Sequence, residues 1–138
     1  MAGRNPWSSY KQVAAQTASP GHLVLMLFDG AIRFLERARL GFEIEDPSER
    51  IECIHNNITR AQDIIHELNM SLNMEEGGEF AACMRRLYTY LDKRLFESNM
   101  NKEPSGIDEA LQRLGTIRDA WRQMLQGETE AAPQNLAA

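Results

Sequence analysis

A chain of 138 residues is the size of one domain with a single core, large enough to fold without disulfides or metals. Hydrophobic content of 43% and charged content of 25% are those of an ordinary globular protein. The net charge of −5, with no basic run interleaved with aromatic residues, argues against nucleic acid as the main partner.

Residues 1–18 form a polar segment in which Trp7, Tyr10, Val13 and Thr17 recur at helical spacing. This pattern predicts a short mobile N-terminal segment or helix that docks on the rest of the chain. Its aromatic residues either complete the core or act as a lid over an apolar groove. A lid would lower the affinity for a ligand, because the ligand must first displace it.

The chain shows no signal for secretion or membrane insertion. Its first residues lack the apolar stretch of a secretory signal, and the longest apolar run, Leu23–Phe28, is too short to span a bilayer. The two cysteines, Cys53 and Cys83, belong to no C-x-x-C or Cys/His cluster and are interpreted as reduced thiols. We therefore expect a cytoplasmic protein.

The first helix is predicted from Ser19 to Gly41, because Ser19 is a suitable N-cap and Pro20 suits the first helical position. Within it, apolar residues cover an arc of about 260° at about 100° per residue. An ordinary bundle helix needs an apolar stripe only somewhat wider than about 100°. The excess indicates that something beyond a simple bundle corner covers this helix: several bundle neighbours for part of the arc, and the N-terminal segment or a bound partner for the rest.

Three further helices are predicted from the apolar periodicity and from the glycine and proline residues between the periodic segments. The second begins at Asp46-Pro47 and carries an apolar seam. A third follows Gly77-Gly78, and a fourth runs from about Ile107 to Gly127, leaving residues 127–138 as a predicted disordered tail. Since no segment alternates with period two, the predicted fold is all-α, an antiparallel up-down-up-down four-helix bundle over residues 19–126.

The sequence gives little support for a catalytic site or a metal site. Glu52 and His55 form the E-x-x-H of di-iron bundles, but such a site needs a second E-x-x-H, which the chain lacks. No phosphate loop, nucleophile elbow or nucleophile–base pair is present either. The sequence thus predicts a protein that is not an enzyme and has no metal and no cofactor.

A strip beside the seam of the second helix is the main candidate for binding. It combines small, apolar and polar residues spaced four, three, four and three: Asn57, Ala61, Ile64, Leu68 and Ser71. One interpretation is a widened core stripe. The other is a groove that receives a helix of a partner, with Asn57 and Ser71 setting its register.

Three blocks resemble a known family: Tyr10 followed by TASPGHLVLMLFDGAIRFLERA at 17–38, NNITRAQDIIHELNMSLNMEEGGEF at 56–80 and LYTYLDKRL at 87–95. With them the chain resembles, over most of residues 10–125, the flagellar export chaperones that hold flagellin before secretion. Phe28 stands where that family often has tyrosine, and Asn73 where it often has aspartate.

The resemblance implies a helical bundle that binds the C-terminal segment of flagellin, prevents its premature polymerisation and keeps it competent for flagellar type III secretion. The family's contacts, carried onto this sequence, fall on Tyr10, Leu25, Asp29, Ile32, Asn57, Ala61, Ile64, Ile65, Leu68 and Ser71. A flagellar export gate component is a further expected partner, and the free chain is expected to be a monomer or weak homodimer. The alternative is a self-associating structural or regulatory bundle without a flagellin client.

Overall fold

The computed structural model describes residues 19–137, with side chains through residue 127. Four helices make up most of this range: α1 (Pro20–Gly41), α2 (Pro47–Met70), α3 (Met74–Asn101) and α4 (Ser105–Ala137). No strand occurs in residues 19–137, which confirms the all-α prediction. Within the same range, no helix is long and apolar enough to cross a bilayer.

Side-chain caps explain where the first three helices begin. The hydroxyl of Ser19 accepts a hydrogen bond from the backbone N–H of His22, and the carboxylate of Asp46 accepts one from Glu49 at 2.8 Å. The amide oxygen of Asn73 accepts one from Glu76 at 3.0 Å. Each cap satisfies a backbone donor that has no partner inside the helix. The predicted starts of α1 and α2 are thereby confirmed.

The helices pack in a closed ring in which each is antiparallel to both of its neighbours. Three residue pairs join α1 to α4, and residue numbers that rise along α1 fall along α4: Gly21 with Trp121, Asp29 with Arg118, and Arg39 with Asp108. Three more join α2 to α3: Asn69 with Arg85, Gln62 with Asp92, and His55 with Asn99. Helix α1 also packs on α2, and α3 on α4. These contacts confirm the up-down-up-down bundle.

The core of the bundle is a single cluster to which all four helices contribute. Helix α2 contributes most of its seam and the adjacent Ile64, and the fully buried residues are Ile54, Ile58, Ala61, Ile64, Ile65 and Leu68, while Ile51 at its start is 50% exposed. Burying an aliphatic side chain of this size stabilises a fold by about 1.5–3 kcal/mol before the entropy of ordering is subtracted. The coiled-coil-like seam predicted for α2 therefore forms the centre of the bundle.

Two glycines allow close helix contacts. A Cβ at Gly106 would lie 2.3 Å from the carbonyl oxygen of Arg94 and 2.5 Å from the hydroxyl oxygen of Ser98. The backbone N–H of Gly106 donates to that buried hydroxyl at 2.8 Å, which brings the start of α4 directly onto α3. Gly41, where the first helix is predicted to end, is the last residue of α1 and packs against Cys53 and Ile54 of α2.

The structure differs from the sequence predictions at two helix ends. Helix α3 begins at Met74 rather than after the glycine pair, and Gly78 interrupts it with a non-helical backbone at φ 53° and ψ −132°. The backbone of α4 stays helical to Ala137, past the end predicted near Gly127. Alanine, glutamate and glutamine in that stretch favour a helix. The division into a lid at 1–18, a bundle at 19–126 and a tail at 127–138 stays a prediction.

An ion-pair network ties the middle of α3 to the start of α4. The guanidinium of Arg94 donates to the Glu109 carboxylate at 3.0 Å, and the Tyr90 hydroxyl donates to the same carboxylate at 2.9 Å. These hydrogen bonds, with Arg94 contributing most, hold the pKa of Glu109 below its ordinary value of 4.5.

We expect Gly106→Ala to lower the free energy of unfolding by about 1–3 kcal/mol, because the added methyl group meets backbone atoms that cannot move aside. Gly115→Ala is the matched control on the same helix, since a Cβ there meets nothing within 4 Å. It should raise the stability by up to about 1 kcal/mol through helix propensity. Urea denaturation of both variants measures the two effects, and a neutral Gly106→Ala would contradict the close contact.

We expect Glu109→Gln to lower the free energy of unfolding at pH 7, and we expect the variant and the unmodified chain to be equally stable in acid. Because folding lowers this pKa, the carboxylate stabilises the fold fully above 4.5, and that contribution disappears as the pH falls through the folded-state pKa. Urea denaturation in steps from pH 7 to pH 3 measures the gap. Glu36→Gln is the control, since Glu36 is exposed and has no ion pair in the described residues. A gap for Glu109→Gln that does not change with pH would refute the pairing.

Candidate functional site

An apolar groove lies at the end of the bundle where α1 begins and α2 ends. Its cavity volume is about 240 Å³. Every helix contributes to its lining, which comprises Val24 and Phe28 from α1, Leu68 from α2, Ser71–Asn73 from the connection, Gly77, Phe80, Ala81, Met84 and Tyr88 from α3, and Ile117 and Trp121 from α4. Concave, mostly apolar sites with a few polar groups are where ligands and partner side chains usually bind.

The bend at Gly78 shapes one wall of this groove. Its positive φ suits glycine, so the first turn of α3, Met74–Gly77, is set at an angle to the rest of the helix. Residues on both sides of the bend, Gly77 and Phe80, line the groove. The opposite wall is held in place because the indole N–H of Trp121 donates to the carbonyl oxygen of Gly21 at 2.9 Å.

Exposed apolar side chains occur in the groove lining and at positions next to it in the chain. Phe80 lines it and is nevertheless 60% exposed, and Met70 and Met74, which flank the Ser71–Asn73 connection, are exposed as well. Methionine is unbranched and polarizable, so it adapts to ligands of different shape. An exposed apolar rim around an apolar groove is typical of a protein–protein site.

Few polar groups face this apolar surface. Tyr88 is 3% exposed, and burial raises the pKa of its phenol, which therefore stays neutral. Its hydroxyl makes no hydrogen bond within the described residues. The Ser71 hydroxyl donates to the Leu68 carbonyl at 2.7 Å, and Asn73 caps α3.

Of the contact residues predicted on the second helix, two line the groove: Leu68 of α2 and Ser71, the residue that follows α2. Ala61, Ile64 and Ile65 are at most 1% exposed and belong to the core. Asn57 is half-buried and donates its amide to the Cys53 carbonyl at 2.8 Å. The structure thus supports the core interpretation for the middle of the strip, and client contact by its buried members would require a covering element to move.

The predicted contacts on α1 have other surroundings. The Asp29 carboxylate accepts a hydrogen bond from Arg118 of α4 at 3.1 Å and forms an ion pair with Arg122 of the same helix at 3.6 Å. Ile32 is 7% exposed and packs in the core, and Leu25 is half-buried. Tyr10 lies outside the described residues. Contact with a client stays a prediction for all four.

Comparison with known proteins decides the family. The sequence profile described as "Flagellar protein FliS" matches residues 3–128. The chain belongs to the FliS family. It is 36% identical to the flagellar secretion chaperone FliS of Bacillus subtilis strain 168, over 93% of this chain and 92% of that protein. It is 37% identical to the FliS of Salmonella typhimurium over 84% and 87% of the two chains. The resemblance stated from the sequence is confirmed.

FliS is a family of flagellar secretion chaperones and not of enzymes, so the prediction of a non-enzymatic protein is confirmed. Within residues 19–127 no group of three or more His, Cys, Asp or Glu side chains could hold a metal ion. His55 of the E-x-x-H faces α3 and shares a hydrogen bond of 3.0 Å with Asn99. An export chaperone of this family acts on a flagellar client.

Sequence reasoning missed most of the groove in this FliS chain. Phe80 and Met84 on α3 and Trp121 on α4 recur with their apolar neighbours at helical spacing. This periodicity is that of core residues, and it is the packing of the helices, together with the bend at Gly78, that brings the three side chains to the groove. The glycine pair was the one available signal, because Gly77-Gly78 marks where a helix cannot stay regular.

We expect Asp29 to act through stability rather than through client contact. A double-mutant cycle of Asp29→Asn and Arg118→Met should give a coupling of about 0.5–1 kcal/mol, because both side chains are partly shielded from water. The control is the double-mutant cycle for Arg39 and Asp108, a more exposed ion pair between the same two helices, which should give a smaller coupling energy. If Asp29→Asn left the stability unchanged but weakened client binding, the contact prediction would hold instead.

Proposed function

We propose that this FliS chain is a cytoplasmic export chaperone that binds the C-terminal segment of flagellin, prevents its premature polymerisation and keeps it competent for flagellar secretion. The single observation that carries the proposal is the apolar groove with its exposed rim at one end of the bundle. Family membership supports the export role, and the groove supports recognition by binding.

The groove suits an amphipathic segment rather than a small rigid ligand. Its volume of about 240 Å³ accommodates a few apolar side chains, and its lining is apolar on all four helices. A helix presents such side chains one turn apart, in the helix-in-groove mode. The hydroxyls of Tyr88 and Ser71 are the polar groups that can set its register.

A disordered client fits this arrangement energetically. A segment that folds on binding loses about 2–5 kcal/mol in ordering, so it must bury apolar area beyond one pocket. The exposed side chains of Met70, Met74 and Phe80 extend the apolar surface beyond the groove. Since the bound segment is covered, it is withheld from self-assembly without any use of chemical energy.

We expect Phe80→Asp to weaken the complex with flagellin at least about tenfold, about 1.4 kcal/mol, because a carboxylate would enter the apolar groove. Phe96→Asp is a matched control. Phe96 is on the same helix and 58% exposed against 60% for Phe80, but it does not line the groove. Isothermal titration calorimetry with flagellin measures both affinities, and circular dichroism verifies that the variants fold. The substitution Ile64→Asp is a poorer probe, because it would place an unpaired charge in the core.

Two results would overturn the proposal. Equal losses in Phe80→Asp and Phe96→Asp would show that the groove is not the site. A complex that survives deletion of the C-terminal segment of flagellin would show that another part of the client is bound. The alternative is a bundle that self-associates through the same surface. Gel filtration of the unmodified chain and of Phe80→Asp tests it, and the free chain is expected to be a monomer or weak homodimer.

The contact role of Tyr10 and the displaceable lid at residues 1–18 remain part of this proposal, as does binding to a component of the export gate. Removing residues 1–16 should speed the association of flagellin if the segment competes for the groove, because the client would then no longer have to displace it.

A further inference from the structure

The outer face of α3 carries a second exposed surface. Residues of one stripe recur every three or four positions and are all exposed, and we call them the α3 stripe: Arg86, Thr89, Lys93, Phe96 and Met100. Its two apolar members are strongly exposed, Phe96 at 58% and Met100 at 68%. From Arg86 to Met100 the stripe is about 21 Å long at 1.5 Å per residue.

The α3 stripe and the groove lie on different sides of one helix. The groove uses the inward side of α3, where Ala81, Met84 and Tyr88 are buried. No member of the stripe lines the groove. A molecule on the stripe would therefore leave the groove open to its own ligand.

The cations of the stripe are not neutralised. Neither Arg86 nor Lys93 makes an ion pair or hydrogen bond in the part of the chain that the structure describes. Their basic neighbours on α3 are engaged: Arg85 donates to Asn69, and Arg94 donates to Glu109. The stripe itself contains no carboxylate.

The nearest carboxylates along α3 bind other partners at the sides of the helix. Asp92 accepts a hydrogen bond from the amide of Gln62 on α2, at 3.1 Å. Glu97 pairs with Arg94 at 3.2 Å. Within the described residues, two cations without an ion pair thus lie on the same helix face as two exposed apolar side chains, on a chain with a net charge of −5.

We propose that the α3 stripe binds a short amphipathic helix of a second protein partner, with apolar residues against Phe96 and Met100 and carboxylates against Arg86 and Lys93. Complementary charge speeds such an encounter and fixes its register. Two cations are too few for a polyanion such as nucleic acid, which needs a row of phosphate contacts. Because one helix stripe buries little area, the complex is transient. The partner binds at the same time as the ligand of the groove.

The test uses a synthetic 18-residue helical peptide with two leucines one turn apart near one end and two glutamates seven residues apart along the same face. The control peptide has lysines in place of those glutamates. Titrated into the full ¹⁵N-labelled chain, the acidic peptide should shift the amide signals of the stripe and bind at least about fivefold more tightly than the basic one. Raising the salt concentration should reduce this difference.

Variants test the residues. The double substitution Arg86→Glu and Lys93→Glu should weaken the acidic peptide at least about tenfold and strengthen the basic one. Phe96→Asp should weaken the acidic peptide, and Phe80→Asp should not. Arg33→Glu is the matched control, since Arg33 is an exposed cation of α1 without an ion pair in the described residues.

Several outcomes would overturn the proposal. Equal affinity for both peptides would remove the charge argument, and shifts confined to groove residues would mean that the peptide had bound at the client site. Signals of the stripe that shift with protein concentration alone would show that a second copy occupies it. Displacement of the peptide by flagellin would make the stripe part of the client path rather than a separate site. Each result is independent of whether Phe80→Asp loses flagellin.

Discussion

The contact between Gly106 and the carbonyl of Arg94 governs how this bundle closes. With no side chain at Gly106, α4 starts in direct backbone contact with α3, and the buried hydroxyl of Ser98 is satisfied by both Gly106 and Glu103. At the other end of the same two helices, the bulky residues Met84 and Trp121 face a cavity. The bundle is thus tightly closed at one end and open at the other, and the open end carries the candidate site.

That asymmetry suits a chaperone that works by covering its client. The tight end, with the network of Arg94 and Glu109, supplies stability that does not depend on a ligand. At the open end, methionine and aromatic side chains offer an adaptable apolar surface. A rigid scaffold under a deformable rim limits the ordering cost to the client and a few side chains.

Several residues in the blocks that identify the family serve the fold rather than contact. Ser19 and Asn73 cap helices, Asp29 pairs with Arg118, and Asn69 holds Arg85 across the α2–α3 turn. These are local hydrogen bonds and charge pairs between polar residues at helix ends and seams. A recognisable sequence block is therefore a guide to the architecture of this bundle, and the candidate site is assembled from less distinctive apolar positions.

The sequence by itself determined the starts of α1 and α2, most of the apolar seam of α2 and the antiparallel order, because caps, periodicity and short connections are local properties. It also determined the family through the blocks at 17–38, 56–80 and 87–95. Only the tertiary structure decided which apolar residues stay accessible. The strip of Asn57, Ala61 and Ile64 and the groove residues Phe80 and Met84 have the same helical periodicity, yet the first is packed against neighbouring helices and the second lies beside the bend at Gly78. Burial depends on the position of neighbouring helices, and periodicity along one helix does not contain that information.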